Sequence, residues 1–87
     1  MKTFKDLEFN SHPSGIGGIQ ARIQFDNGYG ASVVIGPYTY GSEDGLYELA
    51  VLDKDGRLTY ETPVTDDVIG YLKEEDVTDL LIKIQQL

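Results

Sequence analysis

Apolar and polar residues alternate along two runs of the chain, at 19–26 and 29–35. Ile19, Ala21, Ile23 and Phe25 alternate with Gln20, Arg22, Gln24 and Asp26; after the turn Asp26-Asn27-Gly28, a second odd-numbered apolar row follows at Tyr29, Ala31, Val33 and Ile35. A period of two marks a strand with one buried and one wet face, so this stretch is a β-hairpin. A loop of only Asn27-Gly28 sets the two apolar rows on opposite faces. A loop of Asp26-Asn27-Gly28 pairs Phe25 with Tyr29, Ile23 with Ala31, Ala21 with Val33 and Ile19 with Ile35, which gathers both rows on one face. The turn chemistry favours this longer loop, with type I geometry at Asp26 and Asn27 and Gly28 in the left-handed region.

Beyond Gly36-Pro37, which stops strand pairing, residues 38–45 form a connecting loop. Residues 46–52, LYELAVL, are apolar at every position but Glu48, the pattern of a central strand covered on both faces. Asp53-Lys54-Asp55-Gly56 is a turn, and residues 57–64 are expected to return as a fourth strand with Leu58 opposite Leu52 and Tyr60 opposite Ala50. The period then becomes helical. Thr65 as a cap with Asp66 and Asp67 in the first turn predicts a short helix, its stripe being Val68, Ile69 and Leu72. Val77, Leu80, Leu81, Ile84 and Leu87 lie on one face of a second helix, opened by the acids Glu74, Glu75 and Asp76. At the N-terminus, Thr3 and Asp6 suggest a capping box over one helical turn, with an edge strand through Leu7 and Phe9 as the alternative, and residues 10–18 read as a loop. The expected fold is α+β: an antiparallel four-stranded sheet of two sequential hairpins packed against C-terminal helices. It forms a single domain over 1–87, divided into an N-terminal segment and loop (1–18), a β-meander (19–64) and a helical C-terminus (65–87).

Charge narrows the choice of partner. Fifteen acidic residues face seven basic ones, for a net charge of −8 over 87 residues. Nucleic-acid backbones and anionic membrane surfaces both demand cations, so direct contact with either is disfavoured. The acidity then serves solubility or presents an electronegative face to a basic partner. No apolar run approaches the roughly 20 residues of a membrane span, and the first residues carry no apolar signal region. The absence of cysteine excludes a disulfide framework, a thiol nucleophile and a thiolate metal site, and suits the cytoplasm.

Candidate chemistry is sparse. Ser14-Gly15-Ile16-Gly17-Gly18 lacks the spacing and the lysine of a phosphate loop and runs into a strand. Asp53-x-Asp55-Gly56 resembles the start of a calcium loop, but Arg57 and Val64 stand where ligands belong, so a hairpin turn explains it. His12 is the only histidine, beside a proline in a loop, and reads as a solvated side chain; Ser11, Ser14 and Ser32 have no paired base in sequence. The acid pairs Glu43/Asp44, Asp66/Asp67 and Glu74/Glu75 are adjacent residues that splay apart, two of them at expected helix starts. The six tyrosines are more suggestive, because tyrosine is enriched in interfaces. Tyr38 and Tyr40 share a glycine-flanked loop with Glu43 and Asp44; Tyr29 lies nearby in sequence, although it serves equally to cover the sheet.

The stretches NGYG, SVV, GPYTYG, GLYELAVL and TPVTDDVIGYL resemble a group of small acidic proteins of unknown function encoded by tailed bacteriophages, over most of the chain from about Ile19 onward. The resemblance transfers no activity. It implies expression in the cytoplasm of an infected bacterium and, by analogy with other small phage products, contact with a host protein. The expectation is a non-enzymatic binding protein, without cofactor or metal, that inhibits or redirects a host or anti-phage defence protein by protein–protein contact. Its expected contact surface comprises Tyr38, Tyr40, Glu43, Asp44, Tyr29, Asp66 and Asp67. One version is a nucleic-acid mimic in which Asp66, Asp67, Glu74, Glu75, Asp76 and Asp79 form a continuous acidic face. The alternatives are a small-ligand, nucleotide-type binding or sequestering protein and a homo-oligomeric phage accessory or structural protein.

Overall fold

The computed structural model describes residues 1–13, 17–37, 39, 41–65 and 67–87. Its centre is the hairpin of β2 (Ile19–Gln24) and β3 (Gly30–Ile35), in the register that the three-residue loop dictates: Ile19 opposite Ile35, Ala21 opposite Val33 and Ile23 opposite Ala31. The Phe25 N–H donates to the Tyr29 carbonyl at 2.7 Å and the Gly28 N–H to the Phe25 carbonyl at 3.1 Å. Gly28 has φ +93°, the left-handed value that completes such a turn without a Cβ penalty.

Around this hairpin the sheet has five antiparallel strands in chain order, with β1 (Asn10–Ser11), β4 (Tyr47–Leu52) and β5 (Ile69–Leu72) completing it. The α+β class and the antiparallel sheet agree with the sequence pattern. Four strands and several C-terminal helices do not. β1 arises where a loop was expected. A single α-helix, α1 (Glu74–Gln85), follows β5, and 3-10 turns occupy Phe4–Asp6 and Ser42–Asp44.

The main departure is the identity of β4's outer neighbour. The turn at Asp53 forms as expected: the Asp53 N–H donates to the Arg57 carbonyl at 2.7 Å, and Leu52 stands opposite Leu58. Pairing then stops after the Thr59 N–H donates to the Val51 carbonyl at 2.9 Å. The chain leaves β4 and returns with Ile69 opposite Leu49 and Leu72 opposite Tyr47. The segment expected as a short helix is therefore the fifth strand. Thr65 does not cap a helix; its hydroxyl donates to the Asp67 carbonyl and accepts the Asp67 N–H at 3.0 Å, a local turn that competes with helix initiation.

Helix α1 covers the odd-numbered face. Val77, Leu81 and Ile84 are fully buried against Ala31, Val33, Leu49 and Val51, each of the three contributing about 1.5–3 kcal/mol as an upper bound. The N-terminal segment lies along the helix: Gln85 exchanges two hydrogen bonds with the Lys2 backbone (2.9 and 2.8 Å), and the Phe4 N–H donates to the Thr78 hydroxyl at 3.1 Å. Phe4, Phe9 and Tyr47 close that edge of the core, with ring centroids 5.2–5.8 Å apart.

Among the described residues, no helix covers the even-numbered face. Instead the turn after β4 leans across it. Arg22 Nη2 donates to the Gly56 carbonyl, and Gln24 Nε2 donates to the Asp53 carbonyl at 2.9 Å. Both side chains stand on β2, so these bonds span β3, a reach of about 10 Å.

Candidate functional site

The expected contact residues fall in three places. Tyr38, Tyr40 and Asp66 lie outside the described residues. Glu43 and Asp44 occupy the 3-10 turn before β4, both exposed, between Gly41 and Gly45 with φ 89° and 73°. Tyr29 is half-buried against the core, and it sits at the opposite end of the sheet: it precedes Gly30, which faces Leu52, whereas the Glu43 turn leads into Tyr47. Tyr29 and the Glu43–Asp44 turn therefore do not form one surface. Asp67 is exposed, and its carboxylate accepts the Val68 N–H at 2.8 Å.

What the fold does gather around Glu43 and Asp44 is the end of β5 and the start of α1. Gly41 packs so closely on β5 that a Cβ placed on it stands 3.0 Å from the Tyr71 Cα. Tyr71 is 62% exposed and, among the described residues, is the one non-glycine with positive φ, at +58°. For a residue with a Cβ that conformation costs about 1–2 kcal/mol, and the ring's Cδ1 also stands 3.0 Å from a Cβ placed on Gly41. Leu72 pairs with Tyr47, and α1 begins two residues later with Glu74 and Glu75, both exposed. Burial, reinforced by the Glu74 carboxylate, raises the Tyr47 phenol above its usual value. This end of the sheet thus combines one strained, exposed tyrosine with the carboxylates of Glu43, Asp44, Glu74 and Glu75.

Asp76 belongs to a different task, since its carboxylate accepts the Lys73 N–H at 2.9 Å and caps α1. Asp67 precedes β5 and Glu74 follows it, so the acids proposed for a nucleic-acid mimic are separated by a whole strand. Sequence reasoning missed Tyr71 because it was assigned to a helix; Gly70-Tyr71 between β-branched and apolar residues was the signal for a strand. Among the described residues no group of three or more His, Asp or Glu is placed to hold a metal ion, and no helix is long and apolar enough to cross a membrane.

A second feature lies on the helix-free face. A groove of about 270 Å³ runs over Ser32 and Ala50 between Gln20 and Arg22 on one side and Leu52, Leu58 and Val68 on the other. Gln20 Nε2 donates to the Ser32 hydroxyl at 2.9 Å.

No protein-family model, curated protein or solved structure matches the chain.

Proposed function

We propose that the protein acts by protein–protein contact, through the end of the sheet that carries Tyr71, Glu43, Asp44, Glu74 and Glu75. The observation that carries this reading is Tyr71, exposed at 62% and held at φ +58° beside the acidic turn. Backbone strain of this kind clusters at functional sites, and tyrosine with surrounding charge suits a contact surface. The net charge of −8 selects a partner with a basic face. The resemblance to small phage proteins suggests that this partner is a host or anti-phage defence protein, inhibited or redirected in the cytoplasm of an infected bacterium.

Salt dependence tests this reading. Capture of a partner from a bacterial lysate by the immobilised protein is expected at about 0.1 M salt and lost towards 1 M, where the screening length falls to about 3 Å. Capture of a partner that resists such salt overturns the electrostatic reading.

A further inference from the structure

We infer that the helix-free face carries a small-molecule site, separate from the acidic end, for a neutral planar heterocycle of nucleobase size with an amide-like edge. The groove exists because its floor is made of small side chains. Ser32 and Ala50 stand opposite each other at the middle of β3 and β4, where larger residues would fill the space. Its two walls differ in chemistry. One holds the Gln20 carboxamide and the other is built from Leu52, Leu58 and Val68, and the polar side chains of His12, Arg22 and Glu48 also line the groove.

The polar wall is organised. The Ser32 hydroxyl, 8% exposed as a residue, accepts the Gln20 Nε2 bond at 2.9 Å and thereby directs its own hydrogen elsewhere. Gln20 spends one N–H on that bond and retains an acceptor oxygen and a second N–H. Hydroxyl donor, amide acceptor and amide donor then stand side by side, the complement of the donor–acceptor edge of a lactam or amidine ring. Across the groove Leu58 is 53% exposed, an apolar surface that a flat ring would cover. The size fits a single ring system: about 270 Å³ corresponds to roughly nine waters. The Glu48 carboxylate in the groove's lining and the chain's net charge of −8 disfavour an anion as the preferred ligand.

Titration of the isotopically labelled full chain with uracil, adenine, their nucleosides and their monophosphates, followed by amide NMR, tests the site, with indole as an apolar planar control. A saturable response to a base or nucleoside is expected at the Gln20 side-chain amide and at Ser32, Ala50 and Val68, with the monophosphate no tighter. Gln20→Ala is expected to weaken it about three- to tenfold, the value of one hydrogen bond, and Leu58→Ser to weaken it independently; both positions lie at the groove's edge, and an unchanged spectrum of the free variant confirms its fold. The inference is overturned by no saturable response up to millimolar ligand, by a response confined to Glu43, Asp44 and Tyr71, or by indole binding as well as the bases in both wild type and Gln20→Ala.

Discussion

Asn27, at the tip of the β2–β3 turn, holds the last turn of the helix that covers its own hairpin. Its Nδ2 donates to the Ile84 carbonyl at 2.8 Å while its Oδ1 accepts the Tyr29 N–H at 3.0 Å. One side chain thus closes the turn and gives the Ile84 carbonyl a second donor beside the Leu87 N–H at 3.2 Å, at a helix end where carbonyls lack i+4 partners. Asn27→Ala is expected to lose about 1–2 kcal/mol, two neutral hydrogen bonds' worth, in urea unfolding. Amide exchange should speed up most at Gln86 and Leu87.

Gly41 sets the position of the acidic turn against Tyr71. With φ +89° and only 3.0 Å between a would-be Cβ and the Tyr71 backbone, Gly41→Ala is expected to cost about 1–3 kcal/mol. Calorimetry reads the loss, and the resonances of Glu43, Asp44 and Tyr71 should shift together. A change confined to residue 41 would separate the turn from β5.

Tyr47 predicts the alkaline behaviour. Its phenol is raised first by burial and then by Glu74, so the folded state favours the neutral form. That contribution is intact below the usual tyrosine value of about 10 and is lost as pH rises through the raised one. Urea midpoints should therefore fall more steeply for wild type than for Tyr47→Phe between about pH 9 and pH 11, with Glu74→Gln in between.

Thr62 lies between Thr59 and β5, and its hydroxyl is the one buried side-chain polar atom among the described residues without a hydrogen-bond partner. Replacing it with the isosteric Val removes a group that was desolvated without compensation. Thr62→Val is expected to stabilise the protein by about 1 kcal/mol, read as a higher urea midpoint at unchanged slope.

The first hairpin was legible because two signals agreed: its alternating rows share a face in only one register, and Asp26-Asn27-Gly28 supplies the turn that sets it. The stripe Val77, Leu81, Ile84 was legible because its length and period leave no strand alternative. The misreading at residues 57–72 has a physical cause. Both 57–64 and 69–72 are able to pair with β4, and local pattern does not say which does; pairing of the first ends at Thr59, ahead of Pro63, and leaves Leu49 and Tyr47 to Ile69 and Leu72. Val68, Ile69 and Leu72 also fit a helical stripe, and a run this short is ambiguous between the two periods. Of the expected contact surface, Glu43 and Asp44 share a region with Tyr71, while Tyr29 is turned to the core at the far end. The groove had no sequence signature, since Gln20, Ser32 and Ala50 come together only through the registers of three strands.

The contact surface is tested most directly by comparing two charge-reversed baits with wild type in quantitative affinity capture from a bacterial lysate. Glu43→Lys/Asp44→Lys alters the proposed end; Asp26→Lys/Asp55→Lys alters exposed acids in the two turns at the opposite end by the same charge. The account predicts a partner retained by wild type and by the Asp26/Asp55 variant and lost with the Glu43/Asp44 variant. A partner retained equally by all three, or lost only with the Asp26/Asp55 variant, would contradict it.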